Sequence, residues 1–89
     1  QDRYDEAETL YKQALGQDKD YVFATLNLGN LYLQTQRWDE ALAQFDKVLG
    51  SNHPIALQGA GTVWLKRQRF EEAAATFRRL TETNPGYAN

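Results

Sequence analysis

The sequence predicts an all-α protein in which antiparallel helix pairs stack side by side, instead of a globule around one central core. One phrase of basic, aromatic, acidic, acidic and alanine residues occurs three times, starting at Arg3, Arg37 and Arg69. Each copy has a second aromatic residue four positions after its alanine. The starts are 34 and 32 residues apart, a spacing at which helix-turn-helix units stack into a solenoid.

Each phrase predicts an amphipathic helix. In the second copy, Trp38, Ala41, Phe45 and Val48 recur at helical spacing and form one apolar stripe. The acidic pair falls in the first turn, where carboxylates interact favourably with the positive end of the helix dipole. The alanine allows a neighbouring helix to come close, and the aromatic residue one turn later fills the space beside it.

A second type of helix is predicted before the second and third phrases. Leu28-Gly29 precedes Tyr32, and Ala60-Gly61 precedes Trp64 after an interval of 32 residues. Glycine inside a helix costs about 1 kcal/mol relative to alanine, so its recurrence predicts a close helix-helix contact at both positions.

The linkers are predicted from glycine and proline. Gly16 and Gly50 are expected at helix C-termini, and Pro54 and Pro85 are expected at the starts of new helices or in the turns before them. The second interval is two residues shorter than the first, and we place this difference in the linker that follows Leu49, which leaves the flanking helices unchanged.

Because these residues recur in register, the sequence resembles the tetratricopeptide repeat family over nearly the whole chain. The matching positions are Leu28, Gly29, Tyr32, Ala41, Phe45 and Val48 in one unit, and Ala60, Gly61, Trp64, Ala73, Phe77, Leu80 and Pro85 in the next. Thr25 and Leu57 depart from the pattern, because the family often has tryptophan there.

This resemblance implies a right-handed superhelical array of about two and a half repeats, and a chain that is a piece of a longer repeat protein. Residues 1–17 are expected to form the second helix of a truncated repeat. Complete repeats are expected at 20–52 and 54–85, followed by the stub of another repeat at 86–89.

Composition is that of a helical domain without a membrane segment, with 42% hydrophobic and 25% charged residues. The chain has no cysteine, which excludes disulfides and thiolate metal sites and leaves the compartment open, since cytoplasm and periplasm are both compatible. The net charge is −4 over residues 1–45 and +2 over residues 46–89. The acidic pI of about 5.3 argues against a nucleic-acid partner.

The sequence offers no convincing catalytic site, and we expect neither enzymatic activity nor a cofactor or metal. His53 is the only histidine and lies before a proline in a linker. The repeated acidic pairs are interpreted as helix-start charges, and Gly59 and Gly61 are expected inside a helix, not in a phosphate-binding loop. The aromatic residues at helical spacing, namely Tyr32, Trp38, Trp64, Phe70 and Phe77, are expected in the core.

The family resemblance implies that the first helix of each repeat lines a concave face that receives a peptide or a partner protein. The expected partner-binding residues are Phe23, Leu26, Asn27, Asn30, Gln34, Ile55, Gln58, Thr62 and Lys66. Leu33 and Leu65 are also placed there, although Phe23, Leu33 and Leu65 are equally compatible with burial. The amide side chains suit hydrogen bonds to a peptide backbone.

Chaperone-binding members of the family hold a terminal carboxylate on this face, but the match is poor. Asn30 fits one asparagine of that pattern, whereas Leu26 and Gly59 replace a lysine and a second asparagine. We therefore predict a non-catalytic protein-protein interaction scaffold that binds an internal segment or a protein surface. The alternative is a self-association module, because the first helix and the pair Phe77 and Leu80 at the other end are expected to lack covering helices.

Overall fold

A computed structural model of the chain describes residues 2–86 and contains no β-strand in that range. The described residues form five helices: α1 (Asp2–Gln17), α2 (Val22–Gln34), α3 (Trp38–Leu49), α4 (Pro54–Lys66) and α5 (Phe70–Thr83). The three repeated phrases begin or lie within α1, α3 and α5, as predicted. Of the expected C-terminal stub, residues 87–89 lie outside the described range.

The helices form two layers. α2 packs against α1, α3 and α4, and α4 packs against α3 and α5. Within the described residues, the backbones of α1 and α3 do not come close to each other, and neither do those of α3 and α5. α3 and α5 meet through side chains, since Nη2 of Arg79 donates to the carbonyl of Leu49 at 2.6 Å. Since the backbones of α2 and α4 approach each other while those of α1, α3 and α5 do not, α2 and α4 make up the inner layer of the array. The all-α repeat fold is confirmed, and the handedness of its superhelix stays a prediction.

Close helix packing is achieved by glycines that face aromatic rings. A Cβ atom added at Gly29 would lie 2.7 Å from the Phe45 ring, and one added at Gly61 would lie 2.7 Å from the Phe77 ring. Both predicted glycine contacts are therefore confirmed. The Phe45 ring also approaches Gly59, where an added Cβ would lie only 2.3 Å away. Phe45 is fully buried between α2 and α4 and holds the inner layer together.

The two-residue difference between the repeats arises from a shorter helix, not from a shorter linker as predicted. The linkers at 18–21 and 50–53 have equal length, whereas α1 continues for 14 residues from the aromatic residue of its phrase, at 4–17, and α3 continues for 12, at 38–49. Gly16 lies in the last turn of α1, and Gly50 is the C-cap of α3, as predicted, although its backbone angles are right-handed α. The left-handed residue after α3 is Asn52, with a φ of 57°. The helix therefore ends early, and Asn52 makes the turn that glycine was expected to make.

The turns that follow α2 and α4 are the same structure formed twice. Gln36 and Gln68 have φ angles of 64° and 63°, in the left-handed region. The amide of Arg37 donates to the carbonyl of Tyr32 at 2.8 Å, and the amide of Gln36 donates to the carbonyl of Leu33 at 3.2 Å. This pair of bonds is a Schellman motif, and the same bonds recur around Gln68. Glycine usually takes this position, so a glutamine by itself does not indicate a left-handed turn.

The repeated basic residue holds each of these turns against the preceding helix. The guanidinium of Arg37 lies over the Tyr32 ring at 4.4 Å from its centroid, and that of Arg69 lies over the Trp64 ring at 5.7 Å. The Nε atom of Arg37 also donates to Glu40 in the first turn of α3, at 2.9 Å. The basic and acidic members of the phrase therefore act together at the helix N-terminus.

Burial follows the predicted pattern with one clear exception among the aromatic residues. Thr25 and Leu57, at the positions where the family often has tryptophan, are both buried. Tyr32 is buried, and Trp38, Trp64 and Phe77 are half-buried. Phe70, expected in the core, is 62% exposed because it lies in the first turn of α5, on the outer side of the last described helix.

Candidate protein-binding groove

A recess opens to solvent where the C-terminal ends of α2 and α4 meet the start of α3. We call it the α2–α4 groove; its volume is 540 Å³, and it is lined by Leu33, Gln34, Gln36, Trp38, Thr62 and Lys66. Four of these, Leu33, Gln34, Thr62 and Lys66, were placed on the partner-binding face by the sequence. The fold brings them together because α2 and α4 are neighbours in the inner layer.

Two lining residues were missed by sequence reasoning. Trp38 was assigned to the core from its helical spacing, but it is half-buried and its remaining surface lines the groove. Gln36 was not considered, because it lies in a turn. Its left-handed φ directs the chain sharply from α2 into α3 and so brings it to the rim. Only the repeat of the Gln-Arg pair at 36–37 and 68–69 could have indicated this turn.

The apolar residues predicted for this face divide between surface and core. Phe23 and Ile55 occupy equivalent first-turn positions of α2 and α4, and they are 62% and 41% exposed. Leu65 is also exposed, whereas Leu33 is half-buried against the core. Leu26, predicted to face a partner, belongs to the hydrophobic core with only 7% of its surface exposed. Leu26 therefore has little surface to offer a partner.

The amide side chains predicted to bind a backbone lie along the middle of the inner layer. Asn27 and Asn30 on α2 are half-buried, and Gln58 on α4 is exposed. Within residues 2–86, no buried side-chain nitrogen or oxygen lacks a hydrogen-bond partner, so the amide atoms of Asn27 and Asn30 either reach solvent or are already bonded. Neither asparagine side chain makes a hydrogen bond to the described residues. Their amides are therefore available from the solvent side.

The inner layer is almost free of charge. α2, with the sequence VFATLNLGNLYLQ, has no charged residue, and α4, with the sequence PIALQGAGTVWLK, has Lys66 alone. Nearby cations outside these helices are neutralised, since Arg67 pairs with Asp39 at 2.8 Å. In the described part of the chain Lys66 forms no ion pair, so the groove has one unneutralised cation at its rim.

A polar cluster fastens α1 to the turn beside the groove. Glu8 accepts hydrogen bonds from Lys12 at 2.9 Å, from Arg37 at 2.9 Å and from the Tyr32 hydroxyl at 3.0 Å. The hydrogen bonds from Lys12 and Arg37 lower the pKa of Glu8 to about 2. Desolvation raises the pKa of the Tyr32 hydroxyl, and the bond to Glu8 acts in the same direction. Glu8 is therefore an anion that holds the position of Arg37.

His53 has a structural role. It is the N-terminal cap of α4, where its Nδ1 atom accepts a hydrogen bond from the amide of Ile55 at 3.2 Å, and Pro54 occupies the first helical position as predicted. The described residues contain no cluster of histidine, aspartate and glutamate suited to a metal ion. None of the helices in this range is long and apolar enough to cross a membrane.

The two-layer array with a solvent-open groove is the architecture of a helical-repeat protein. Comparison with family models agrees: the tetratricopeptide repeat model matches residues 1–54 and again residues 26–88. The chain belongs to the tetratricopeptide repeat family. Repeats of this family are generally protein-protein interaction modules and typically non-catalytic scaffolds. A search of curated proteins gave no significant match.

Proposed function

We propose that this chain is a non-catalytic scaffold that binds an extended peptide segment of a partner protein along the inner layer of the array. The observation that carries the proposal is the α2–α4 groove, where residues from three separate elements form one recess of 540 Å³. A peptide in this position has apolar contacts with Leu33 and Trp38. It has hydrogen-bonding amides further along α2 in Asn27 and Asn30.

The pattern of exposure along α2 and α4 supports an occupant that runs along both helices. Exposed apolar side chains lie at the N-terminal ends, Phe23 on α2 and Ile55 on α4. The amides occupy the middle of the layer, and the groove lies at the C-terminal ends. An extended peptide makes backbone hydrogen bonds through such amides and places side chains in recesses beside them, which favours an internal segment over a terminal carboxylate.

The double substitution of Asn27 and Asn30 to alanine tests this proposal. A net hydrogen bond is worth about 1 kcal/mol, so loss of one or two bonds should weaken peptide binding by about 5- to 30-fold. Helicity should not fall, because alanine is the better helix former. Gln13→Ala on α1, away from the inner layer, is the matched control. Equal affinity for the double variant and the control, measured by calorimetry, would contradict binding along α2.

Self-association is a second candidate, favoured by the exposed surface of α1. Leu10 is 63% exposed within a shallow recess of 370 Å³ lined also by Asp5, Glu6, Thr9 and Gln13. At the opposite end Leu80, which was expected to lack a covering helix, is already buried. Association through α1 should make the melting temperature rise with protein concentration. The substitution Leu10→Glu should abolish that rise, and light scattering that shows only monomer at high concentration excludes this candidate.

A further inference from the structure

From the charge of the α2–α4 groove we infer that its preferred peptide carries a large apolar side chain next to an aspartate or glutamate. This inference rests on the proposed function and specifies the occupant of the same groove. It combines two observations: an apolar wall formed by Leu33 and Trp38, and the single cation Lys66 on otherwise uncharged inner helices.

The apolar half of the groove is a rigid surface. Leu33 and Trp38 are both half-buried and pack against the hydrophobic core, so their exposed sides keep a fixed position. A recess of 540 Å³ has room for a leucine, phenylalanine or tryptophan side chain of a partner. A partner side chain that covers this wall removes apolar surface from water, and Leu33 and Trp38 do not have to move to receive it. A site for an anchor residue has these two properties.

The charged half of the groove lacks an anion. The cations on the adjoining turns are already paired: Arg37 with Glu8 and Glu40, and Arg67 with Asp39. The Asp39 side chain is 89% exposed and directed to Arg67. Lys66 therefore faces the groove with no intramolecular competitor on α2 or α4, and an incoming carboxylate meets an unneutralised ammonium group at the edge of an apolar wall.

Two neutral amides strengthen this preference. Gln34 and Gln36 line the same recess as Lys66, and each can donate hydrogen bonds to a carboxylate or to a peptide carbonyl. A basic side chain in this position would instead meet Lys66 as a like charge. The groove therefore discriminates by repulsion of basic peptides as well as by attraction of acidic ones.

A selection from a random octapeptide library, displayed with both peptide termini blocked by fusion, tests the inference. The wild-type chain should enrich peptides with an aromatic or large aliphatic residue next to Asp or Glu. The Lys66→Glu variant should enrich Lys or Arg at that place and keep the apolar residue. Lys19→Gln, in the linker at 18–21 outside this groove, is the control and should select as the wild type does.

Affinity measurements on one selected peptide make the test quantitative. Lys66→Gln should weaken binding of the acidic peptide by about two- to fivefold, the range of a partly exposed ion pair, and should leave its glutamine-substituted version unchanged. High salt should weaken binding of the acidic peptide to the wild type by the same two- to fivefold, because salt screens the ion pair. Tryptophan fluorescence in a Trp64→Phe background reports binding at Trp38 directly.

The outcomes separate this inference from the proposed function. Enriched peptides that lack acidic residues, or that bind Lys66→Gln as tightly as the wild type, overturn the charge preference while the groove stays a binding site. Enriched peptides that bind equally well after Thr62→Phe, which fills the groove, show binding elsewhere and overturn both. A selection without any enrichment overturns the proposed function itself. Circular dichroism of each variant confirms that it is folded.

Discussion

Alanine in place of Gly59 should destabilise the chain, although alanine is the better helix former. Its Cβ atom would lie 2.3 Å from Cζ of Phe45, well inside the roughly 3.5–4.0 Å of an ordinary carbon-carbon contact. The ring has no direction in which to move. It is fully buried, and α2 closes its other side, where a Cβ at Gly29 would lie 2.7 Å from the same ring.

The expected change in the free energy of unfolding is the difference between the cost of overfilling and the gain in helix propensity. Overfilling a packed contact costs about 1–3 kcal/mol, and the fixed ring places this substitution in the upper half of that range. The higher helix propensity of alanine stabilises the variant by up to about 1 kcal/mol. We therefore expect the free energy of unfolding to fall by about 1–2 kcal/mol in total. Gly16→Ala is the matched control. Gly16 lies in the last turn of α1, and a Cβ there would have no atom within 4 Å, so this change should be neutral or stabilising.

Urea unfolding followed by circular dichroism measures both variants against the wild type. The unfolding midpoint should fall for Gly59→Ala and stay or rise for Gly16→Ala. Shortening the ring with Phe45→Leu should recover part of the loss when combined with Gly59→Ala, so the double-mutant cycle should show a favourable coupling. A Gly59→Ala midpoint equal to or above that of the wild type would refute the packing argument.

Three further perturbations test other parts of the fold. Gln68→Gly should raise the unfolding free energy by up to about 1 kcal/mol, because glycine adopts the left-handed φ of 63° without strain; an unchanged urea midpoint would contradict this. The pKa of Glu8 is lowered from 4.5 to about 2, so its stabilisation is complete above pH 4.5 and is lost as pH falls towards 2. The melting temperature should therefore fall more steeply with decreasing pH for the wild type than for Glu8→Gln. Parallel curves of melting temperature against pH for the two proteins would contradict a stabilising role for this cluster. Ala73→Leu, at a 3% exposed position, should cost about 1–3 kcal/mol, whereas Ala74→Leu at an exposed position should change the melting temperature little. Equal tolerance at the two sites would show that the packing face of α5 is misassigned.

The helices and their glycine contacts were predictable because they depend on periodic patterns. Gly29 and Gly61 recur with the repeat, and a glycine that costs helix stability twice in register indicates close packing. Gly59 does not recur, since Asn27 occupies the equivalent position, so its approach to Phe45 was visible only in the structure. Periodicity predicts which residues lie on a face, and it does not predict which helix meets that face.

The groove was predicted less completely, for related reasons. Leu33, Gln34, Thr62 and Lys66 follow from the positions of α2 and α4, but Trp38 belongs to a helix whose stripe predicts only burial. The early end of α3 was also missed. Glycine at position 50 suggested the turn, whereas Asn52 takes the left-handed angle, and asparagine tolerates that conformation better than most residues.

Nuclear magnetic resonance titration with a selected octapeptide tests the central claim most directly, because it reports every backbone amide and both indole groups at once. Binding in the α2–α4 groove should shift the amides of Leu33, Gln34, Thr62 and Lys66 together with the indole N–H of Trp38. The indole of Trp64 and the amides at the exposed face of α1 should stay unchanged. Shifts confined to α1, or to the outer surfaces of α3 and α5, would contradict the proposal that the inner layer binds the partner.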